Sequence, residues 1–144
     1  GRSMPRVYKS PCYCINTRRS ANALKEYYDN AFKNVDLTGA QYYLLTGLME
    51  LEKANITQWA EYVGLERSTM VRNVSTLEKH GLIHVIKGKG KVFELTEFGR
   101  DTIEKAIPIW EKTQNEIKEY IGEEDAEAIR RIGEKLQNLP IIKE

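Results

Sequence analysis

Residues 66–83, ERSTMVRNVSTLEKHGLI, decide how the rest of the chain is read. Met70, Val74 and Leu77 recur at helical spacing and make one apolar stripe. On a helical wheel Ser68, Arg72, Ser75 and Lys79 fall opposite Met70, with no bulky apolar group expected among them. Gly81 stops the helix and Leu82-Ile83 starts an extended run. An outward face of Ser, Thr, Arg and Asn suits a groove lined with hydrogen-bond donors and acceptors. Taken alone, the stretch is an ordinary amphipathic surface helix, and its flanks must decide between the two.

Upstream, Thr57 can cap a short helix through Val63, with Trp59, Ala60 and Val63 inward, and Gly64-Leu65 makes a tight turn. A short helix, a Gly-containing turn and a longer amphipathic helix form a helix-turn-helix pattern. Downstream the period changes to two. His84-Val85-Ile86-Lys87 and Lys91-Val92-Phe93-Glu94-Leu95 read as strands around a Gly88-Lys89-Gly90 hairpin tip. Helix-turn-helix plus hairpin is a winged helix, with the hairpin as the wing.

The remaining segments flank this unit. Pro5 and Pro11 mark an irregular arm over residues 1–14, and Gly1-Arg2-Ser3 ahead of Met4 reads as a cloning remnant. Asn16 or Thr17 can cap a helix to about Phe32, with Leu24, Tyr27 and Tyr28 on its apolar side. Thr38-Gly-Ala-Gln41 is a capping box that starts a helix ending near Lys53. After the wing, Thr96 can cap a long helix to about Ile121, kinked at Pro108, with Phe98, Ile103, Ile107 and Trp110 among its apolar positions. Gly122-Glu-Glu-Asp125 breaks it and opens a last helix striped by Ile129, Ile132, Leu136 and Leu139 and closed by Pro140. The expected class is mainly α with a small β-hairpin (α+β). Residues 37–100 form the winged helix-turn-helix, and residues 15–36 and 101–144 a helical region around it.

Bulk properties agree. The 144 residues suffice for one domain with a real core. Net charge is only +1, but residues 1–36 carry seven Lys/Arg against three Asp/Glu, and residues 101–144 carry seven against eleven. A basic front and an acidic tail suit a protein that turns one side to a polyanion. No apolar run approaches the ~18–20 residues of a membrane span, so no membrane partner is expected. Two cysteines, Cys12 and Cys14, make no secreted disulfide framework and fit a reducing cytoplasm.

Five ordered blocks carry a resemblance: Leu37-Thr-Gly-Ala-Gln-Tyr42, Ile56-Thr-Gln58, Gly64-Leu-Glu-Arg-Ser-Thr69, Leu77-Glu-Lys-His-Gly-Leu-Ile83 and Leu95-Thr-Glu-Phe-Gly-Arg100. In order and spacing they resemble the MarR family of winged-helix transcriptional regulators, over nearly all of residues 12–139. The resemblance implies a two-fold homodimer whose first and last two helices interlock, with one winged helix on each side binding double-stranded DNA at an inverted-repeat operator, as a repressor. The apolar stripes of the last helices independently call for a partner surface, and a second copy supplies one. The wing departs from the family pattern. Family members usually carry an Asp-x-Arg element there whose Arg enters the minor groove, whereas this wing reads Lys87-Gly-Lys-Gly-Lys91. Lysines neutralise phosphates but lack the planar guanidinium fork.

The candidate DNA contacts are therefore Arg67, Ser68, Thr69, Arg72, Asn73, Ser75 and Thr76 on the helix and Lys87, Lys89 and Lys91 on the wing. Arg72 suits bidentate readout of guanine, Asn73 suits adenine, and Ser68 and Thr69 suit phosphates. The wing read otherwise is a solvated lysine hairpin. Small aromatic effectors are common in the family, and Tyr42, Trp59, Phe98 and Trp110 could line a pocket with Arg18 as a carboxylate partner; aromatics at helical spacing equally make core. Cys12 and Cys14 are too close for an easy internal disulfide and too few for zinc. A thiol near a helix start is more reactive, and some peroxide-sensing relatives pair such a cysteine with tyrosines, here Tyr27 and Tyr28. Small apolar packing at a dimer junction explains the cysteines as well. His80 and His84 read as surface or wing-base residues.

No P-loop, GxSxG or HExxH motif is present, and no catalytic Cys-His pairing, metal site or cofactor is expected. The rival to a DNA-binding regulator is a winged helix that binds only proteins. Such a module would show no salt-sensitive DNA binding.

Overall fold

The computed structural model describes residues 9–86 and 90–140. Six helices and three short strands follow in the order α1 (Tyr13–Phe32), a 3-10 turn (Lys33–Val35), α2 (Gly39–Leu51), β1 (Lys53–Ala54), α3 (Ile56–Val63), α4 (Arg67–Lys79), β2 (Ile83–Ile86), β3 (Val92–Leu95), α5 (Glu97–Ile121) and α6 (Glu123–Gln137). The mainly helical class with a β-hairpin is as expected.

Local chemistry sets most boundaries. The Thr38 hydroxyl accepts from the Gln41 amide, and the Gln41 side chain accepts from the Thr38 amide, closing the capping box. Thr96 accepts from Gly99 N at 2.9 Å and opens α5. Gly64 takes φ 73° after α3, and Gly81 takes φ 75° after α4, a backbone region that costs glycine nothing.

Two helix starts and one strand differ from the sequence reading. Helix α1 begins at Tyr13, so Cys12 is its N-cap residue and Cys14 lies in its first turn. The Thr17 hydroxyl bonds back to the Tyr13 carbonyl instead of capping. Helix α3 is capped by Asn55, not Thr57: Asn55 Oδ1 accepts from Gln58 N at 2.8 Å, and Gln58 Oε1 accepts from Asn55 N at 3.0 Å. Strand β1 was not foreseen. It pairs antiparallel with β3, Lys53 opposite Glu94 and Ala54 opposite Phe93, giving the sheet order β1-β3-β2.

The core fills the space between the helix-turn-helix, the sheet and the start of α5. Leu44, Leu45 and Leu48 of α2, Trp59 of α3, Met70 and Leu77 of α4, Ile83 of β2 and Ile103 of α5 are fully buried. Two glycines permit close approach. A Cβ on Gly99 would stand 2.1 Å from the Leu82 carbonyl oxygen, and one on Gly47 would stand 2.6 Å from Val63 Cγ1. Gly99 thereby lets α5 lie directly on the chain leaving α4, and Gly47 lets α3 lie on α2. Helix α5 runs on without a break through Pro108. Helix α6 packs chiefly against α5 and buries none of its side chains. Its stripe of Ile129, Ile132 and Leu136 stays about half exposed, and Leu139, expected to continue the stripe, lies beyond the helix end at Gln137.

Candidate nucleic-acid interface and aromatic cleft

Helix α4 presents one continuous outward face. Met70, Val74 and Leu77 point into the core, while Arg67, Ser68, Arg72, Ser75 and Lys79 are exposed and Thr69, Asn73 and Thr76 are half-buried at its edges. The edge residues are held by their own helix. Asn73 donates to the Thr69 carbonyl at 2.9 Å and Thr76 to the Arg72 carbonyl at 3.3 Å. The Arg67 guanidinium donates to the Thr57 hydroxyl at 2.7 Å, which joins the first turns of α3 and α4. Arg72, Ser68 and Ser75 are the polar side chains most available to a ligand on this face. The sequence reading placed no bulky apolar group on the outer side, but Val71 is 47% exposed beside Arg72.

The β2–β3 hairpin follows α4, and β2 packs against it. In the β2–β3 register Ile83 faces Leu95 and Ile86 faces Val92. Glu94 lies between Lys53 on one side and His84 on the other, with His84 Nε2 2.9 Å from its carboxylate. His84 is thus a wing-base surface residue, as expected, and His80 is the exposed residue that ends α4. Lys91 is exposed, immediately before β3 on the hairpin-tip side. Lys87 and Lys89 lie outside the described residues.

Behind the helix-turn-helix, α1, α2 and α5 enclose a cleft of about 610 Å³. Four rings run through it in stacked succession, Tyr28–Phe32, Phe32–Tyr42 and Tyr42–Trp110, with centroids 6.4, 4.8 and 6.5 Å apart. Burial pushes the Tyr28 phenol above its usual range; burial, and then the Glu111 charge, do the same for Tyr42. Both stay protonated at neutral pH, and Tyr28 donates to the Gln114 side chain. Lys25 and Asp29 form the charged rim, 2.8 Å apart.

The structure brings together only part of the expected pocket. Tyr28, Tyr42 and Trp110 line the cleft. Trp59 does not: it is fully buried, donates Nε1–H to the Leu44 carbonyl at 2.9 Å and packs on Phe93. Phe98 is 60% exposed and borders a separate hollow with Leu82 and Thr102. Arg18 is exposed near the start of α1, and Lys25, two turns on, supplies the cleft's cation. Tyr43 and Glu50 line the cleft and were not foreseen. Cys12 and Cys14 are free and exposed. Among the described residues no group of three or more His, Cys, Asp or Glu could hold a metal ion, and no helix is long and apolar enough to cross a membrane.

A helix-turn-helix with an antiparallel wing, carried on long helices from both ends of the chain, defines a winged-helix protein. The MarR family profile matches residues 37–90. The chain is 30% identical to the M. tuberculosis transcriptional regulator MosR solved in complex with DNA, covering 90% of this chain and 99% of that one at TM-score 0.76. It therefore belongs to the MarR family of transcriptional regulators. The repressor CouR bound to p-coumaroyl-CoA shares the fold at TM-score 0.82 and 22% identity, over 90% of this chain and 94% of that one. A segment of 65 residues is 35% identical to the phenylalanine–tRNA ligase alpha subunit of Pyrococcus furiosus. That match takes in 45% of this chain but only 13% of that protein's length.

Proposed function

We propose that this chain binds DNA sequence-specifically as a homodimer and represses transcription by occupying an inverted-repeat operator. Helix α4 enters the major groove, Arg72 reads a guanine, and Ser68 and Thr69 hold phosphates at the helix start. The lysines of the wing neutralise neighbouring phosphates. One observation carries the reading: α4 displays an exposed, mainly polar face of Arg67, Ser68, Arg72, Ser75 and Lys79, followed by the β2–β3 hairpin. It does so in a chain 30% identical to a regulator solved on DNA. The exposed stripe on α6 supports the dimer, since an apolar helix face of this kind is buried by a second copy at little cost. Half-sites would then lie about one helical turn apart, ~34 Å.

The cleft between α1, α2 and α5 is the place for an effector. Stacked rings offer a slot for a flat aromatic group, and Lys25 offers a cation to a carboxylate that displaces Asp29. A small aromatic acid fits both features.

The test is a gel shift with the DNA upstream of the protein's own gene at low and at moderate salt. A retarded complex that weakens steeply with salt and is competed by an inverted repeat is expected. No complex at either salt concentration would leave a winged helix that binds only proteins.

A further inference from the structure

Val71 is the side chain on α4 that hydrogen bonding and phosphate contact leave unexplained. It belongs to neither the core nor the ordinary surface. The core stripe of this helix is Met70, Val74 and Leu77, each at most 4% exposed, whereas Val71 is 47% exposed. Exposed Arg67 and Ser68 lie one turn before it and exposed Ser75 one turn after, with Arg72 adjacent. Arg67 is drawn to Thr57, and Asn73 and Thr76 bond back to helix carbonyls. A β-branched residue on a helix loses rotamer freedom, and Val71 offsets this with only partial burial, so alanine would cost the free protein little.

We infer that Val71 is a specificity-determining residue that reads a thymine through its C5-methyl group, in the base pair next to the one Arg72 reads. This rests on the proposal that α4 lies in the major groove. Thymine is the base whose major-groove edge carries an apolar group, and the other edges offer donors and acceptors that valine cannot answer. An isopropyl group set over a thymine methyl removes both from water. Set over a G·C pair, it strips solvent from polar atoms and returns nothing. Arg72 and Val71 together therefore select a guanine beside a thymine.

The experiment has two stages. Binding-site selection with the wild-type chain first gives the preferred duplex. Each thymine of one half-site, and its symmetry mate, is then replaced by deoxyuridine, which lacks only the methyl group. The wild-type chain should lose about three- to fivefold in affinity per half-site at one thymine position, the scale of one buried methyl group. Val71→Ala should bind the thymine and uracil duplexes within about twofold of each other. Val71→Thr, which keeps one of the two methyls, should fall between. Alanine is the better helix former, so loss of discrimination in Val71→Ala is not loss of fold. A wild-type chain with a sequence preference but indifferent to uracil at every position overturns the inference alone. So does discrimination that survives in Val71→Ala. A wild-type chain with no sequence preference overturns the groove reading and the inference with it.

Discussion

The Tyr43 hydroxyl donates to the Val63 carbonyl oxygen at 3.0 Å, tying the middle of α2 to the last residue of α3. Val63 is followed at once by the Gly64 turn that sets the direction of α4. Its carbonyl is one of those a helix end leaves without an intrahelical partner. A second phenol, Tyr62, reaches from the same turn of α3 to Glu50. Tyr43 meanwhile lines the aromatic cleft, so one side chain touches both the proposed effector site and the end of α3 that leads into α4. Tyr43→Phe keeps the ring and removes the bond. Because the site is half exposed and water can replace the donor, the loss should be about 0.5–1.5 kcal/mol. That is about 2–4 °C per kcal/mol in melting temperature for a chain of this size. Calorimetry beside a DNA titration checks it, and an unchanged melting curve would show that the bond contributes nothing.

Gly99 predicts a larger effect. An added Cβ would stand 2.1 Å from the Leu82 carbonyl oxygen, a backbone atom that also accepts the Thr96 amide at 3.1 Å. Neither partner can move without shifting the chain between α4 and the wing. Gly99→Ala should therefore cost about 3 kcal/mol, the upper part of the range for overpacking. Urea denaturation should show a lower midpoint with the slope unchanged.

The winged helix was legible in the sequence because its signals are local. The Thr38–Gln41 box, the Gly64 and Gly81 stops and the change of period after Gly81 each depend on a few neighbouring residues, and each holds in the structure. Asn55-Ile56-Thr57-Gln58 offered two caps, and the three-residue spacing to Gln58 was the overlooked signal for Asn55. Strand β1 is two residues long and exists only because β3 lies beside it. The cleft was the least legible part. Helical spacing places Trp59 and Tyr42 on inward faces alike, and only packing makes one a core residue and the other a wall. Likewise, which turn of α1 meets α2 decides that Lys25, rather than Arg18, supplies the cation. Val71 is not legible as a surface residue in the sequence because a wheel centred on Met70 sets it at the flank, about 100° away.

Asp29 gives a pH dependence. Burial works against its ionisation. The hydrogen bond from Lys25, the Gly39 amide at 2.8 Å and the Lys25 charge outweigh this and hold the carboxyl below its ordinary 3.8. A group depressed on folding stabilises the fold above its unfolded value, and that contribution disappears as pH falls through the folded value. The tie from α1 to the first turn of α2 is therefore intact at neutral pH and lost in acid. Urea midpoints measured from about pH 5 down to about pH 2.5 should fall less in Asp29→Ala than in the wild type, from a lower starting value. Parallel curves would show that the pair does not couple to folding.

Arg72 and the lysines should separate base readout from phosphate binding. Arg72→Ala is expected to weaken operator binding by about 1–3 kcal/mol and to relax preference at one base pair per half-site. Replacing Lys87, Lys89 and Lys91 by Gln should weaken binding to all sequences alike. It should also flatten the plot of log affinity against log salt, by about one unit for each phosphate left without its lysine. Selection experiments in which Arg72→Ala keeps the wild-type preference would reassign that base pair to another residue of α4.

The α6 stripe tests the dimer without disturbing the winged helix. Ile132 and Leu136 are 48% and 47% exposed, and α6 buries no side chain within its own chain. A carboxylate at either position would remain in contact with water in a monomer, so the fold of a single chain should change by no more than about 0.5 kcal/mol. In a dimer that buries the stripe, the same carboxylate is taken out of water opposite an apolar surface, which costs several kcal/mol. Ile132→Glu with Leu136→Glu should halve the mass seen by light scattering and leave the helical circular dichroism in place. DNA affinity should fall by orders of magnitude, because each monomer then contacts one half-site alone. If the double variant stays dimeric, α6 does not form the interface, and the exposed tyrosines Tyr13 and Tyr120 become the surface to test next.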